Sequence, residues 1–284
     1  MWSVTAALAG FLFGFDVVVI SGADKKLQAL WQSSDAFHGA VVMGMALWGT
    51  VIGAIFGGIP TNTFGRKKTL LAIGVLYALS AIGTALSNDP YIFAFFRFMG
   101  GLGVGASTIA APAYISEIAP AKDRGRLVSL YQFNIVLGIL VAFLSNYLLS
   151  GIGDNDWRWM LGVQAIPASI YTLCVLIIPE SPRWLVSKGR INEAKNVVKI
   201  VNPDQDSDLL ISQMEDDHAE APKENIFMKK YRFPLMLAFL VAFFNQMSGI
   251  NAFLYYAPRI FGEAGLGEKT ALLSSIGIGI VNMV

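Results

Sequence analysis

Long apolar blocks separated by short polar stretches constrain this chain more than any other feature. A helix crossing about 30 Å of hydrocarbon needs roughly 20 predominantly apolar residues. Blocks of that kind fall at residues 2–22, 38–59, 69–87, 90–116, 127–150, 159–179 and 234–258. An eighth starts near Thr270 and is still apolar at Val284, the last of 284 residues. The fifteen residues from there rise only about 22 Å, so this helix is expected to be incomplete and the chain a fragment. The sequence is 55% hydrophobic and 14% charged, where a soluble domain carries about 25% charged residues. The expected class is an all-α polytopic membrane protein.

Composition also removes alternatives. A formal net charge of +1 gives no support to a nucleic-acid partner. One cysteine, Cys174, and two distant histidines, His38 and His218, make no metal centre or disulfide framework. No nucleophile–base pair or phosphate loop is present, so no enzyme and no cofactor is expected. The first block lacks a basic leader and is interrupted by Asp16, so it reads as a span rather than a secretory signal.

Basic residues set the expected orientation. Arg66, Lys67, Lys68, Lys122, Arg124, Arg126 and the basic residues of 183–232 fall on one side, against Lys25, Lys26, Arg158, Arg259 and Lys269 on the other. The N-terminus is therefore expected in the cytoplasm of a multi-pass protein of the plasma membrane. The lack of any Asn-x-Ser/Thr sequon leans toward a bacterial inner membrane. Three regions follow: residues 1–180 as a six-helix lobe, 181–233 as a polar linker, and 234–284 as the start of a second lobe. Within the linker, Ser181-Pro182 suits a helix start and Gly189 a stop, and Ala194, Val197, Val198 and Val201 recur at helical spacing. Two or three short amphipathic helices are predicted there.

Small residues four apart, Gly49, Gly53 and Gly57 in the second block and Gly101 and Gly105 in the fourth, predict close helix packing. The run Gly100–Gly105 lacks the order of a dinucleotide loop, and no strand precedes it. Two ionisable residues lie inside spans, Asp16 in the first and Arg97 in the fourth. A charge at membrane depth costs several kcal/mol, so the default reading is a functional pair. Burial favours a neutral carboxylic acid and a nearby Arg favours the carboxylate. A movement that changes either one loads and releases a proton; the alternative is a static structural ion pair.

Uncharged polar residues form a further set: Gln132 and Asn134, then Asn245, Gln246 and Asn251, then Asn282. Amides both donate and accept hydrogen bonds, which suits a neutral polyhydroxylated solute, while Phe13, Phe15, Tyr255 and Tyr256 offer apolar faces. Interhelical bonding is the alternative use of each amide. At the span ends Arg66, Glu117, Arg124, Glu180 and Arg183 read either as solvated caps or as ion-pair latches of an inner gate.

Six segments in order carry a resemblance. They are Phe13-Gly14-Phe15-Asp16; Gly57-Gly58 with Gly65-Arg66-Lys67; Arg97 with Gly101-x-Gly103-x-Gly105; Pro112-x-Tyr114-x-x-Glu117 with Arg124-Gly125; Pro179-Glu180-Ser181-Pro182-Arg183-Trp184; and Gln246-Met247-Ser248-Gly249-Ile250-Asn251 with Tyr255-Tyr256. Together they resemble the sugar porter family of the major facilitator superfamily, and within it bacterial xylose–proton symporters. The resemblance implies two six-helix lobes working by alternating access, of which this chain holds the first, the connecting helices and one and a half helices of the second. It implies sugar contacts at Gln132, Gln246, Asn251 and Asn282, with Phe13 and Tyr255 beside them, and proton coupling at Asp16 and Arg97. Its partners are a small neutral sugar, a proton and the lipid bilayer, in a monomer. Asn62, Thr63 and Asn245 depart from the family pattern. Rival readings are a passive facilitator with a structural Asp16–Arg97 pair, and a sensor that binds sugar without transport.

Overall fold

A computed structural model of the protein describes residues 2–120, 122–201, 206–219 and 228–283, with the backbone alone at 217–219. The described residues form helices joined by short turns, with no strand among them. Seven helices are long and apolar enough to cross a membrane: Trp2–Gly22, Asp35–Phe56, Arg66–Leu86, Pro90–Ile118, Arg124–Leu149, Asp156–Ile177 and Lys229–Glu263. They are the first to seventh spans below. An eighth helix covers Glu268–Met283 in 16 residues. Several spans begin a turn earlier than hydropathy alone suggests, because Asp35, Arg66, Arg124 and Asp156 start helices while keeping their charged groups at the span ends.

The first lobe is built on backbone-to-backbone contact at glycines. A side chain at Gly49 or Gly53 would run into the Phe98 or Leu102 carbonyl of the fourth span. Gly101 and Gly105 answer from that span, facing Ala46 and Thr50. The first and fifth spans mesh the same way through Gly10, Gly14 and Gly138. In lipid, where apolar side chains gain nothing by leaving their surroundings, such close approach is what holds helices together. The glycine run of the fourth span is thus a packing face.

Three polar helices follow the sixth span: Pro182–Ser187, Ile191–Val201 and Ser207–Ala219. Ser181 caps the first, its hydroxyl accepting from the Trp184 N–H, and Gly189 ends it with a left-handed φ of 71°. Trp184, Leu185, Ala194, Val197 and Ile211 join the same apolar core as Tyr114 and Ile118 of the fourth span. The linker therefore packs onto one end of the lobe. The expected helix end at Val284 and the acidic Asp217 side chain lie outside the described residues.

The seventh span departs from a single continuous helix. It divides into Arg232–Met247 and Ile250–Glu263, with Gly249 between them at φ 75°. The Ser248 hydroxyl donates back to the Asn245 carbonyl, which occupies a freed acceptor. No residue of the first half is buried, whereas Leu254, Tyr255 and Ala257 of the second half pack with Phe15, Val19, Ile139 and Phe143 of the first and fifth spans. The second span carries its own irregularity, a wider π turn over His38–Met43. Broken helices at membrane depth occur where they line a cavity or a protein interior.

Candidate functional site

The centre of the first lobe holds the two charges inside spans. Arg97 Nη1 donates to Asp16 Oδ1 at 3.1 Å and Nη2 to the Asp16 carbonyl at 3.2 Å. The Arg97 and Asp16 side chains are 1% and 2% exposed. Gly100, one turn after Arg97, makes the room: a Cβ there would strike Ser80 and approach Asp16 Oδ1 to 3.5 Å. Arg97 Nε has no hydrogen-bond partner among the described residues. The carboxylate thus has one direct guanidinium partner and the guanidinium keeps a spare donor, which leaves the pair short of full satisfaction.

Tyr255 reaches this pair from the seventh span. It is buried, and its hydroxyl lies where both the Arg97 and Asp16 charges act on it. On its other side, Asn251, Tyr255 and Tyr256 line a cavity of about 210 Å³ with Gly39, Met43, Gly44 and Leu47 from the π turn of the second span. Asn251 Nδ2 donates to Gln246 Oε1 at 2.8 Å, across the break in the seventh span. Gln246, Gln132 and Asn282 are exposed, while Phe13 is half-buried against the first-lobe core. The structure thus brings together Asp16, Arg97 and Tyr255, and separately Gln246 and Asn251. No hydrogen bond among the described residues joins Gln132, Asn282 or Phe13 to either group.

At the end where the polar helices pack, Arg66 forms a bidentate pair with Glu117, Nε to Oε2 and Nη2 to Oε1, each at 2.9 Å. Ser181 Oγ donates to the same Glu117 Oε2. Glu180 Oε1 accepts from the backbone N–H of Arg66, Lys67 and Ser181 at 2.9 to 3.0 Å, capping the third span where unpaired N–H groups favour an anion. Trp184 Nε1 donates to the Asn62 carbonyl. Glu117 is therefore bound to Arg66 rather than to Arg124, whose side chain is exposed, as is that of Arg183.

The opposite end carries charges that the sequence reading treats only as orientation markers. Asp24 is shared between His38 and Arg259, and Lys26 bridges Asp156 and Glu268. Burial lowers the Lys26 pKa, but hydrogen bonds and charge from Asp156 and Glu268 outweigh that and hold it above its ordinary value. The available signal was acids at the ends of spans, Asp24 after the first, Asp156 at the start of the sixth and Glu268 at the start of the eighth helix, set against the few basic residues of the same side. Arg158 closes the third span by donating to the Ala85 and Ser87 carbonyls at 2.6 and 3.0 Å.

Comparison with known proteins supplies the family. A profile described as "Sugar (and other) transporter" matches residues 2–284. The chain is 38% identical to the D-xylose transporter of Levilactobacillus brevis, over 98% of this chain and 61% of that protein. Among solved structures it is similar to the partially occluded inward-open form of the xylose transporter XylE from E. coli, at 30% identity and a TM-score of 0.87, covering 99% of this chain and 70% of that one. It is also similar to the proton:xylose symporter XylE bound to 6-bromo-6-deoxy-D-glucose, at 31% identity and a TM-score of 0.86, covering 99% and 66%. The chain thus spans about 61% of the length of the curated relative it matches. The fold is that of the major facilitator superfamily, and by sequence the chain belongs to the sugar transporter family.

Proposed function

We propose that the protein works as a proton-coupled sugar symporter by alternating access. In this reading residues 1–180 form the first lobe, 181–233 the cytoplasmic connection and 234–284 the start of the second lobe. The observation that carries the reading is the buried Asp16–Arg97 pair with Tyr255 of the seventh span against it. A helix that moves between states thereby touches the residues that would hold the proton.

The chemistry follows from charge. Protonating Asp16 removes the carboxylate that Arg97 holds, and Arg97, which already donates to the Asp16 carbonyl, is then free to seek other acceptors around it. Losing the proton restores the pair. Movement of the seventh span alters the surroundings of Tyr255, Arg97 and Asp16 together, so the proton and the conformation bias one another by linkage. Gln246 and Asn251 flank the break in that span and Gln132 and Asn282 come from its neighbours, with Phe13 and Tyr255 as apolar surfaces. These amides would exchange their own hydrogen bonds for those of a pentose or hexose. The relatives' xylose and the glucose derivative bound by one of them support that substrate class.

The excess of basic residues at the Arg66 end supports a cytoplasmic N-terminus in a bacterial inner membrane. The Arg66–Glu117–Ser181 cluster and the Glu180 cap, with Arg124 and Arg183 beside them, then form part of the inner gate of a monomer. The test is sugar uptake by vesicles carrying the full-length protein, with and without an inward proton gradient. Accumulation that requires the gradient is expected. Equilibration that ignores it would make the protein a facilitator and Asp16–Arg97 a structural pair.

A further inference from the structure

The end opposite the Arg66 cluster holds a second buried ionisable group that the reading above does not use. His38 Nε2 lies 2.7 Å from Asp24 Oδ1, and both side chains are 2% exposed. Arg259, from the second half of the seventh span, reaches across the seam. Its Nε donates to Asp24 Oδ2 at 2.6 Å, and its Nη2 to Asp24 Oδ1 at 3.2 Å and to Gln28 Oε1. Beside this cluster the seam encloses about 310 Å³, lined by Asp24, Lys25, Lys26, Arg259 and Glu268 among others.

The contacts of His38 fit a neutral ring. With Nε2 donating to Asp24, Nδ1, 3.4 Å from Ser33 Oγ, is placed to accept from that hydroxyl. A neutral imidazole satisfies both contacts. The local charge is then balanced, with Asp24 negative and Arg259 positive. A proton added to His38 in this arrangement would leave one carboxylate facing two cations, the buried His38 and the partly exposed Arg259, which burial of the histidine makes costly.

Other groups facing His38 do not change that balance. Asp35, on its own helix, is bonded to Gln28 Nε2 at 2.7 Å. Tyr256 lies 5.8 Å beneath the Arg259 guanidinium. From the fourth span, Tyr91 packs on Phe37, Asp89 caps its own helix, and Arg97 is held by Asp16. Lys25 projects past Gly262 into the seam cavity.

We infer that Asp24 and His38 form a second proton-binding station, at which a proton on His38 replaces Arg259 as the partner of Asp24 when the two halves part at this end. The inference rests on the alternating-access reading, because it needs Arg259 to leave. Once Arg259 is withdrawn, Asp24 faces a neutral imidazole alone. A proton from solution then binds Nδ1, Nε2 keeps its own, and Ser33 Oγ turns to accept. The parted state holds one more proton than the closed state, so acid on this side favours parting and alkali favours closure. The limit for one linked proton is about tenfold per pH unit in the ratio of the two states.

The test uses the full-length protein with native cysteines replaced, spin labels at Leu30→Cys and Ala264→Cys, and Asp16→Asn to silence the central site. Both label positions are exposed and lie on opposite sides of the seam. Distance distributions are measured in nanodiscs from pH 5 to pH 8. The longer distance is expected to gain population as pH falls, and His38→Gln, which keeps an amide donor for Asp24, is expected to flatten that response. Arg259→Met provides a second check: with the competitor gone from the closed state, the response is expected to shrink as well. A pH response of unchanged steepness in both variants would overturn the station while leaving alternating access intact. One unchanging distance in the Asp16 parent, with and without sugar, would overturn both.

Discussion

Arg97 and Asp16 are unequal partners, and substitution is expected to show it. Removing the arginine strands a carboxylate 2% exposed, and breaking a buried pair from one side costs roughly 3–5 kcal/mol. Arg97→Gln is therefore expected to lower the melting temperature in detergent sharply, and adding Asp16→Asn to recover part of the loss. Asp16→Asn alone keeps an acceptor for Arg97 and is expected to leave the protein folded. It should abolish accumulation against a gradient and spare sugar exchange; accumulation by Asp16→Asn would remove the aspartate from the coupling role. The amides call for a different experiment. Asn251 donates to Gln246 at 2.8 Å, so each truncation frees the other. Binding measured by tryptophan fluorescence or calorimetry should weaken several-fold for Asn251→Ala and for Gln246→Ala, and the double variant should lose less than the sum.

At the scale of elements, the break in the seventh span is the feature most sensitive to one residue. Gly249 sits at φ 75°, where any L side chain costs about 1–2 kcal/mol. Gly249→Ala is expected to favour a straighter helix and to lower stability by that amount in chemical unfolding, with weaker sugar binding because Gln246 and Asn251 change their relative angle. A control at Gly267, which is exposed and has open space around it, should show neither effect. The break also marks where the sequence stops being legible. Apolar blocks locate spans because lipid demands them, and glycines four apart reveal packing faces because only glycine lets backbones touch. Asp16 and Arg97 stand out because charges inside apolar blocks are rare. Hydropathy is blind to a one-residue change of φ, so 234–258 reads as one helix. Pairing at span ends is equally hidden: Glu117 lies 51 residues from its partner Arg66 and only seven from Arg124. Asp24, His38 and Arg259 look like separate surface groups until the seventh span folds back across the first and second.

Considered whole, the molecule is fastened at the Asp24 end by ion pairs that reach the seventh and eighth helices. This seam network joins those helices to the first lobe. Its second bridge is built unevenly. Lys26 Nζ reaches Asp156 Oδ2 at 2.6 Å, where Asp156 is 2% exposed and also accepts from the Gly151 N–H, and Glu268 Oε1 at 2.8 Å, where Glu268 is 62% exposed. An exposed ion pair contributes about 0.2–1 kcal/mol, whereas a buried partner left alone costs more. Glu268→Gln should thus barely change the closed fraction reported by labels at residues 30 and 264. Lys26→Met should part the seam measurably by stranding Asp156, and Lys26→Met with Asp156→Asn should restore closure in part. Because the Lys26 pKa is raised, its contribution is complete below the ordinary lysine value of about 10.4 and is lost as pH climbs through the folded value. The same label pair should therefore report a closed fraction that declines only above about pH 10.4, a decline that Lys26→Met removes. A decline between pH 8 and pH 10 that survives Lys26→Met would assign seam closure to some other group.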